Sequence, residues 1–501
     1  MRAAWTWLRT PRGVVLVACG FAVVLRLPFV GLPPYTDEGG LLVVARSWHT
    51  GGPDLYGRLF VDRPPLLLLY FRLSDVLGGV TAVRVVALGL VVVLVAAAGW
   101  AGLLLGGRRG AACAALASAA LLANPALGAH EVNGETVGAP LTVVACALLV
   151  GVYAGPSPSR ARRTLLLGGA GAAAVCAILV KQNLVDALVF GLVAVVASGP
   201  RDEWRRTWRD LETFLAGALV PAVATVAWAQ AAGPGVSALW FTLYRFRLDA
   251  LHVIASQSTA APQARIGVLW HAALVSGLLL LVLAALWSLR RRVLTRDPLT
   301  WALTAMLAAE IAGVVGGGSY WTHYLIALVP GAALLAGRAA GVNPRGWLVP
   351  LAVAVTVVSC LVQAGGSVAA GRSATVDAEA RLADWLSAAS RPGDSGVVVY
   401  GAADLFATTP LRPAYPYLWT LPMRTLDPHL DRLVGLLAGA DAPTFVVERM
   451  PADSWGIDPQ GRVDRALARH YRPAGSVCGV PVYVHDGVAR RLPPLPTGCA
   501  G

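Results

Sequence analysis

Lysine occurs once in this 501-residue chain, at Lys181, and charged residues of all kinds make up only 14% of it. So little charge excludes a disordered chain, and the lack of a sustained heptad excludes a coiled coil. The seven cysteines form no CxxC pair and have no zinc spacing, which excludes a disulfide-stapled mini-domain and a structural zinc site. Cys19, Cys113, Cys146, Cys176 and Cys360 fall in apolar runs, where a thiol acts as a small hydrophobe. Cys478 and Cys499 lie in a polar tail and can pair only in an oxidising compartment.

What is abundant is apolar: 56% of residues are hydrophobic and the mean hydropathy is +0.63. Such a chain belongs in a lipid bilayer. A formal charge of +13 invites a nucleic-acid partner, but the arginines sit in short clusters between apolar runs, as orientation signals of a polytopic membrane protein do. Eleven runs have the length of spanning helices, near 14–30, 80–105, 110–128, 137–155, 164–181, 184–198, 213–232, 265–289, 298–318, 324–341 and 346–366. Arg2, Arg9 and Arg12, then Arg108 and Arg109, then Arg160, Arg162 and Arg163, then Arg201, Arg205, Arg206 and Arg209, then Arg290, Arg291, Arg292 and Arg296, then Arg338 and Arg345 fall in alternate loops. That asymmetry predicts a multi-pass plasma-membrane protein with a cytoplasmic N-terminus, an external first loop over 31–79 and an exported C-terminus. From about 368 charge becomes frequent, and short strands at Val397–Tyr400, Thr444–Val447 and Val480–Val484 alternate with a helix near 376–389. The expected architecture is a transmembrane domain over 1–367 and a small extracytoplasmic α/β domain over 368–501.

The first outer loop is the most informative stretch. Leu32 to Gly40 carries Asp37 and Glu38, and an apolar segment then runs to His49 and a Gly51-Gly52 stop. Val61 to Leu66 leads into a second apolar segment that stops at Gly78-Gly79. Each half reads as a short interfacial helix, the first capped by Thr36 or Asp37, the second by Asp62 with Pro64 and Pro65 in its first turn. In the next outer turn stand Glu131 and Glu135; Lys181, with Gln182, closes an apolar run; His323 and Tyr324 follow a glycine-rich helix end. Arg26 and Glu310, inside spans, read as satisfying buried partners, and Arg245 and Arg247 as an aromatic-rich structural segment.

In these elements the chain resembles the GT-C class of integral-membrane glycosyltransferases, in the branch of protein O-mannosyltransferases and lipid A aminoarabinose transferases. Asp37-Glu38 matches that branch's acidic pair, and Arg63-Pro64-Pro65-Leu66 its basic residue followed by Pro-Pro-Leu. Weaker similarity covers Glu131 to Glu135, Lys181-Gln182, and His323-Tyr324 followed by Pro330. One departure stands out: aminoarabinose transferases place a basic residue close after the acidic pair, whereas this chain has Gly39 and Gly40.

The resemblance implies transfer of a sugar from a polyprenyl-phosphate donor to an acceptor hydroxyl at the outer membrane face. Asp37 is then the general base of a single inverting displacement, and Glu38 orients the acceptor or the neighbouring helix. Arg63, Lys181, His323 and Tyr324 are the expected donor-phosphate contacts, and Glu131 and Glu135 the expected acceptor or sugar contacts. The acceptor is a protein, a glycolipid or a polysaccharide. No cofactor is implied, and one acidic pair is a thin ligand set for a divalent metal. Two other readings compete: a transporter or flippase of lipid-linked saccharides, which would place polar residues at the midplane in related repeats, and a non-catalytic assembly subunit.

Overall fold

The computed structural model describes residues 10–49, 54–199, 203–256, 260–343, 345–370 and 374–496. Arg2, Arg9, Gly51, Gly52, Arg201 and Cys499 lie outside them. Among the described residues, eight helices are long and apolar enough to cross a membrane: Pro11–Phe29, Val80–Leu122, Gly134–Tyr153, Arg160–Val180, Trp204–Ala232, Pro298–Gly316, Thr322–Val342 and Leu348–Ala370.

The expected spans differ from these in three places, each for a local reason. The runs at 80–105 and 110–128 form one 43-residue element that breaks at Gly106 and Gly107, the latter at φ 63°, a conformation open to glycine. Its legs fold back on each other so closely that a Cβ on Gly102 would sit 2.8 Å from that of Ala114. The run at 265–289 is split into Ala261–Val275 and Leu278–Leu294, bent by 63° where Gly277 adopts φ 78°. The run at 184–198 yields a 13-residue helix, Asp186–Ser198, which at 1.5 Å per residue is too short to cross.

Small residues let the helices approach closely, as packing without a hydrophobic driving force requires. A Cβ on Gly337 would lie 3.1 Å from Ala114 Cβ, so the Val329–Val342 helix nests against the broken hairpin. Arginines gather at the same end. Arg338 bridges Asp297 at 3.0 Å and donates to the Leu105 carbonyl at 3.1 Å, and Arg163 pairs with Asp210. Inside the bundle Arg26 donates to the Leu122 carbonyl at 2.6 Å, and Glu310 accepts the Gly331 N–H at 2.9 Å.

The first loop forms two helices, Thr36–Ser47 and Pro65–Gly78, but their caps differ from expectation. Tyr35 is the first N-cap: its backbone N–H is taken by the Glu38 carboxylate at 3.0 Å, so Thr36 and Asp37 lie inside the first turn. Pro64 caps the second helix with extended backbone, which frees Asp62 for other partners. Gly78-Gly79 ends that helix as expected, with Gly79 at φ 66°.

Beyond the last long helix the chain builds a five-stranded sheet in the order β2-β1-β3-β5-β4. β1 (Ser395–Val399) lies parallel to β2 (Arg412–Pro413) and to β3 (Phe445–Glu448); β4 (Tyr471–Val477) and β5 (Val480–His485) are antiparallel additions. Three strands and the Ala374–Ala389 helix fall where the sequence puts them. β2 and β4 carry too little β-branched periodicity to be read beforehand. Cys478 is disulfide-bonded.

Candidate active site

The two acidic neighbours Asp37 and Glu38 part ways. On a helix, successive residues point about 100° apart, so one carboxylate reaches the cavity while the other turns into the protein. Glu38 is 1% exposed and is held by Arg84 at 2.6 and 3.0 Å, by the Val132 N–H at 2.9 Å and by the Tyr35 N–H. Arg84 itself also donates to the carbonyls of Phe29, Leu32 and Pro33. Glu38 therefore fixes the entry to the first loop and does not line the cavity. Asp37, half-buried, lines it. The cavity measures about 890 Å³.

Its basic wall is assembled around Asp62. This buried carboxylate accepts from Arg63 at 2.7 Å and from Arg247 at 2.8 Å, and both guanidiniums face the cavity. Burial opposes ionisation of Asp62, but Arg247 and Arg63 outweigh it and hold its carboxyl below the usual range. Burial likewise opposes the Arg63 charge, and Asp62 together with Asp37 raises its pKa above the ordinary value. The backbone here is clamped: Gln182 donates to the Asp62 carbonyl at 2.6 Å, and the Tyr56 hydroxyl to that of Arg63 at 2.7 Å. Arg247 corrects the reading of its segment as structural; only Arg245, paired with Asp249 on the outside, fits that description. The sole signal for Arg247 was a second arginine two positions on, in an aromatic-rich stretch.

The remaining sequence candidates pair among themselves. Lys181 is buried against Glu135, which stands one position into the Gly134–Tyr153 helix, and its ammonium lies 4.4 Å from the centre of the Tyr324 ring. Neither Lys181 nor Glu135 reaches the cavity surface, so the expected phosphate contact by Lys181 and sugar contact by Glu135 have no direct geometry. Tyr324 shields the pair and lines the cavity with its neighbour His323. His323 Nδ1 stands 3.0 Å from Glu131, also at the wall. Burial resists ionisation of Glu131, but His323 stabilises the carboxylate and lowers its pKa.

The opposite wall comes from the C-terminal portion, where no site residue had been expected. Trp419, Arg424, Trp455, Arg449 and Glu379 all line the cavity. Trp419 Nε1 donates to Asp37 Oδ1 at 2.9 Å, and Thr36 Oγ1 to Asp404 Oδ1 at 3.0 Å. Arg449 pairs with Glu379 at 2.8 Å, and Arg424 lies 4.7 Å over the Trp455 ring. Gly39 and Gly40 explain the departure from the aminoarabinose-transferase pattern. A Cβ on Gly39 would stand 2.7 Å from Asp404 Cβ and one on Gly40 2.8 Å from Ala403 Cβ, so the pair is the step on which this wall rests. The backbone of Phe60 also donates to the Pro416 carbonyl at 3.0 Å. The contacts from the first loop to this wall span hundreds of positions and leave no local motif.

Apolar residues add to the lining: Phe246, Ile254, Ala261 and Pro262 reach the cavity from the helices Phe246–Ser256 and Ala261–Val275, which also bring Arg247 and Arg265 to it and whose outer surfaces expose Leu248, Leu251 and Val268. Among the described residues no group of three histidine, cysteine or acidic side chains is placed to hold a metal ion.

No protein-family model and no curated protein matches the sequence. Solved structures do match the fold. ArnT from Cupriavidus metallidurans bound to undecaprenyl phosphate superposes with a TM-score of 0.64 at 16% identity, over 99% of this chain and 100% of that one. The same protein in the apo state gives 0.59 at 15% identity, over 94% and 98%. The apo oligosaccharyltransferase of Archaeoglobus fulgidus gives 0.54 at 12% identity, over 95% of this chain and 74% of that one. Across both, the shared architecture is that of the GT-C glycosyltransferases, and this chain has that fold.

Proposed function

We propose that the protein is a glycosyltransferase that moves a sugar from a polyprenyl phosphate to an acceptor hydroxyl, with inversion at the anomeric carbon. The observation that carries the reading is the convergence of Asp37, Arg63 and Arg247 on one cavity with apolar residues in its lining. Structures of the same fold add support, one of them ArnT with undecaprenyl phosphate bound.

In the reaction the acceptor O–H bond breaks and its proton passes to Asp37. The acceptor oxygen bonds to the anomeric carbon, and the bond from that carbon to the phosphate oxygen breaks on the opposite side. The electron pair leaves with the phosphate, whose charge Arg63 and Arg247 match; a matched phosphate needs no proton from a second acid. The hydrocarbon tail lies along Phe246 and Ile254. Asp62 keeps the two guanidiniums oriented and apart. Arg63 is the one expected phosphate contact retained as such. Tyr324 and His323 border the same wall, Glu131 sets His323, and Glu135 acts on the site only through Lys181.

The cavity opens at the end of the bundle away from Arg163, Arg292 and Arg338. With those arginines cytoplasmic, the reading puts the N-terminus inside and the cavity at the outer face. It also divides the chain into a transmembrane domain over 1–367 and an extracytoplasmic domain over 368–501. The test is Asp37→Asn in lipid, fed undecaprenyl-phosphate-linked hexoses and pentoses with membrane extract as acceptor. Release of undecaprenyl phosphate should fall roughly 10²- to 10⁴-fold. Transfer at the wild-type rate with a normally folded variant rejects Asp37 as the base.

A further inference from the structure

The base proposed above is held by a residue from the far end of the chain. Trp419 Nε1 donates to Asp37 Oδ1 at 2.9 Å across 382 positions, and both side chains line the cavity. The indole has little freedom. Trp419 is the N-cap of the Thr420–Leu426 helix, with extended backbone, and its ring lies against Gly40, where a Cβ would come within 3.0 Å of Cη2. The neighbouring residue of the same first turn adds a second contact, Thr36 to Asp404 at 3.0 Å, which pins that turn to the same wall.

The choice of donor has chemical content. An indole N–H is donor-only and uncharged, so it can fix the rotamer of a carboxylate without placing a full positive charge on it. The neighbouring Glu38 shows the alternative: two bonds from Arg84 satisfy and immobilise that carboxylate, which is suited to structure and poorly suited to accepting a proton. With Oδ1 engaged by Trp419, Oδ2 is left for the proton of the acceptor.

We propose that Trp419 is a positioning residue for the transfer reaction: its indole N–H orients Asp37, so the base is in place only while the C-terminal portion is seated on the Gly39-Gly40 step. This rests on Asp37 as the base, and the experiment separates the two claims. Trp419→Phe keeps an aromatic ring on Gly40 and removes only the donor. In the undecaprenyl-phosphate donor assay it should lower kcat about tenfold, as loss of one charged hydrogen bond implies. KM for the donor should stay within about twofold, since only binding interactions common to ground and transition state move KM alone. A merely structural tryptophan would lower the yield of folded protein and leave this split between kcat and KM unseen in the folded fraction. A wild-type kcat in Trp419→Phe, with Asp37→Asn inactive, overturns the positioning role and leaves the base standing. Wild-type transfer by Asp37→Asn overturns both. Should Trp419→Phe fold poorly, the contact is read directly from the indole N–H resonance of Trp419 in nitrogen-15-labelled protein in nanodiscs. It should shift in Asp37→Asn, and an unmoved resonance overturns the proposal.

Discussion

The two walls of the cavity are tied in by different means. The membrane-side wall is ionic: Asp62 takes two guanidiniums, Lys181 takes Glu135, His323 takes Glu131, and just behind them Arg84 takes Glu38. The C-terminal wall meets the first-loop helix through neutral donors and small residues, namely an indole, a hydroxyl and two glycines. Ionic pairs in a low-dielectric setting lose heavily when one partner goes, whereas neutral contacts over glycine are individually weaker and depend on close approach. The membrane-side wall is thereby rigid, and the C-terminal wall seated and separable.

The largest effect should come from Glu38→Ala, which strands Arg84 in the interior. Unpairing a buried ion typically costs about 3–5 kcal/mol, and thermal unfolding in detergent should show it as a sharp loss. Asp37→Ala should unfold close to wild type, because its carboxylate is half-buried and bonded only to Trp419 among the described residues. Equal losses in the two variants would erase the distinction drawn between the neighbouring carboxylates.

Next in size is the contrast between Arg247 and Lys181. Arg247→Ala should weaken binding of undecaprenyl phosphate by roughly ten- to a hundredfold, about 1.5–3 kcal/mol for a lost charged hydrogen bond. The double variant Lys181→Met with Glu135→Leu removes both members of a buried pair, a change that is often close to neutral, and should keep that affinity. Titration of the lipid phosphate into protein in nanodiscs measures both. A double variant that loses binding while still folded would restore Lys181 to the phosphate site.

A smaller effect is expected from Gly40→Val, which pushes the Trp419 ring and Ala403 away from the loop helix. Overpacking of this kind costs on the order of 1–3 kcal/mol, and transfer should fall along with limited-proteolysis resistance of the C-terminal portion. If activity falls with the seating intact, the glycine step has some role other than admitting this wall.

These contrasts also explain what the sequence could disclose. Apolar run length revealed most of the bundle because the bilayer imposes it residue by residue. The break at Gly106-Gly107 was legible as a gap between two runs, while the bend at Gly277 lay hidden inside one apolar stretch. Asp37 and Arg63 were legible because each belongs to a short local motif. That Glu38 turns inward and Lys181 is spent on Glu135 was not, since a charged residue type does not say which partner takes it. Trp419 and Asp404 were out of reach altogether: their connection to the site exists only once the chain has folded back over 368 positions or more, as from Thr36 to Asp404.

The finest test concerns pH at the seam between the walls. Burial, with Glu379 nearby, pushes the Asp404 carboxyl up to about 6, while the Thr36 hydroxyl and Arg449 act to lower it. A carboxyl whose folded pKa lies above its unfolded value of about 4 contributes stability that is fully present below the unfolded value and is lost as pH rises through the folded one. Seating of the C-terminal wall should therefore be firmer near pH 5 than near pH 7, with the loss running from the unfolded value of about 4 up to about 6. Asp404→Asn cannot ionise, yet it keeps an oxygen to accept from Thr36, so its unfolding midpoint should lose this dependence while Glu379 and Arg449 remain paired. Wild type and variant with parallel unfolding profiles between pH 5 and pH 7 would place the seam under some other control than this carboxyl. The Asp62 cluster of the membrane-side wall should ignore the same interval, because its carboxyl, held below the usual range by two arginines, stays ionised throughout it.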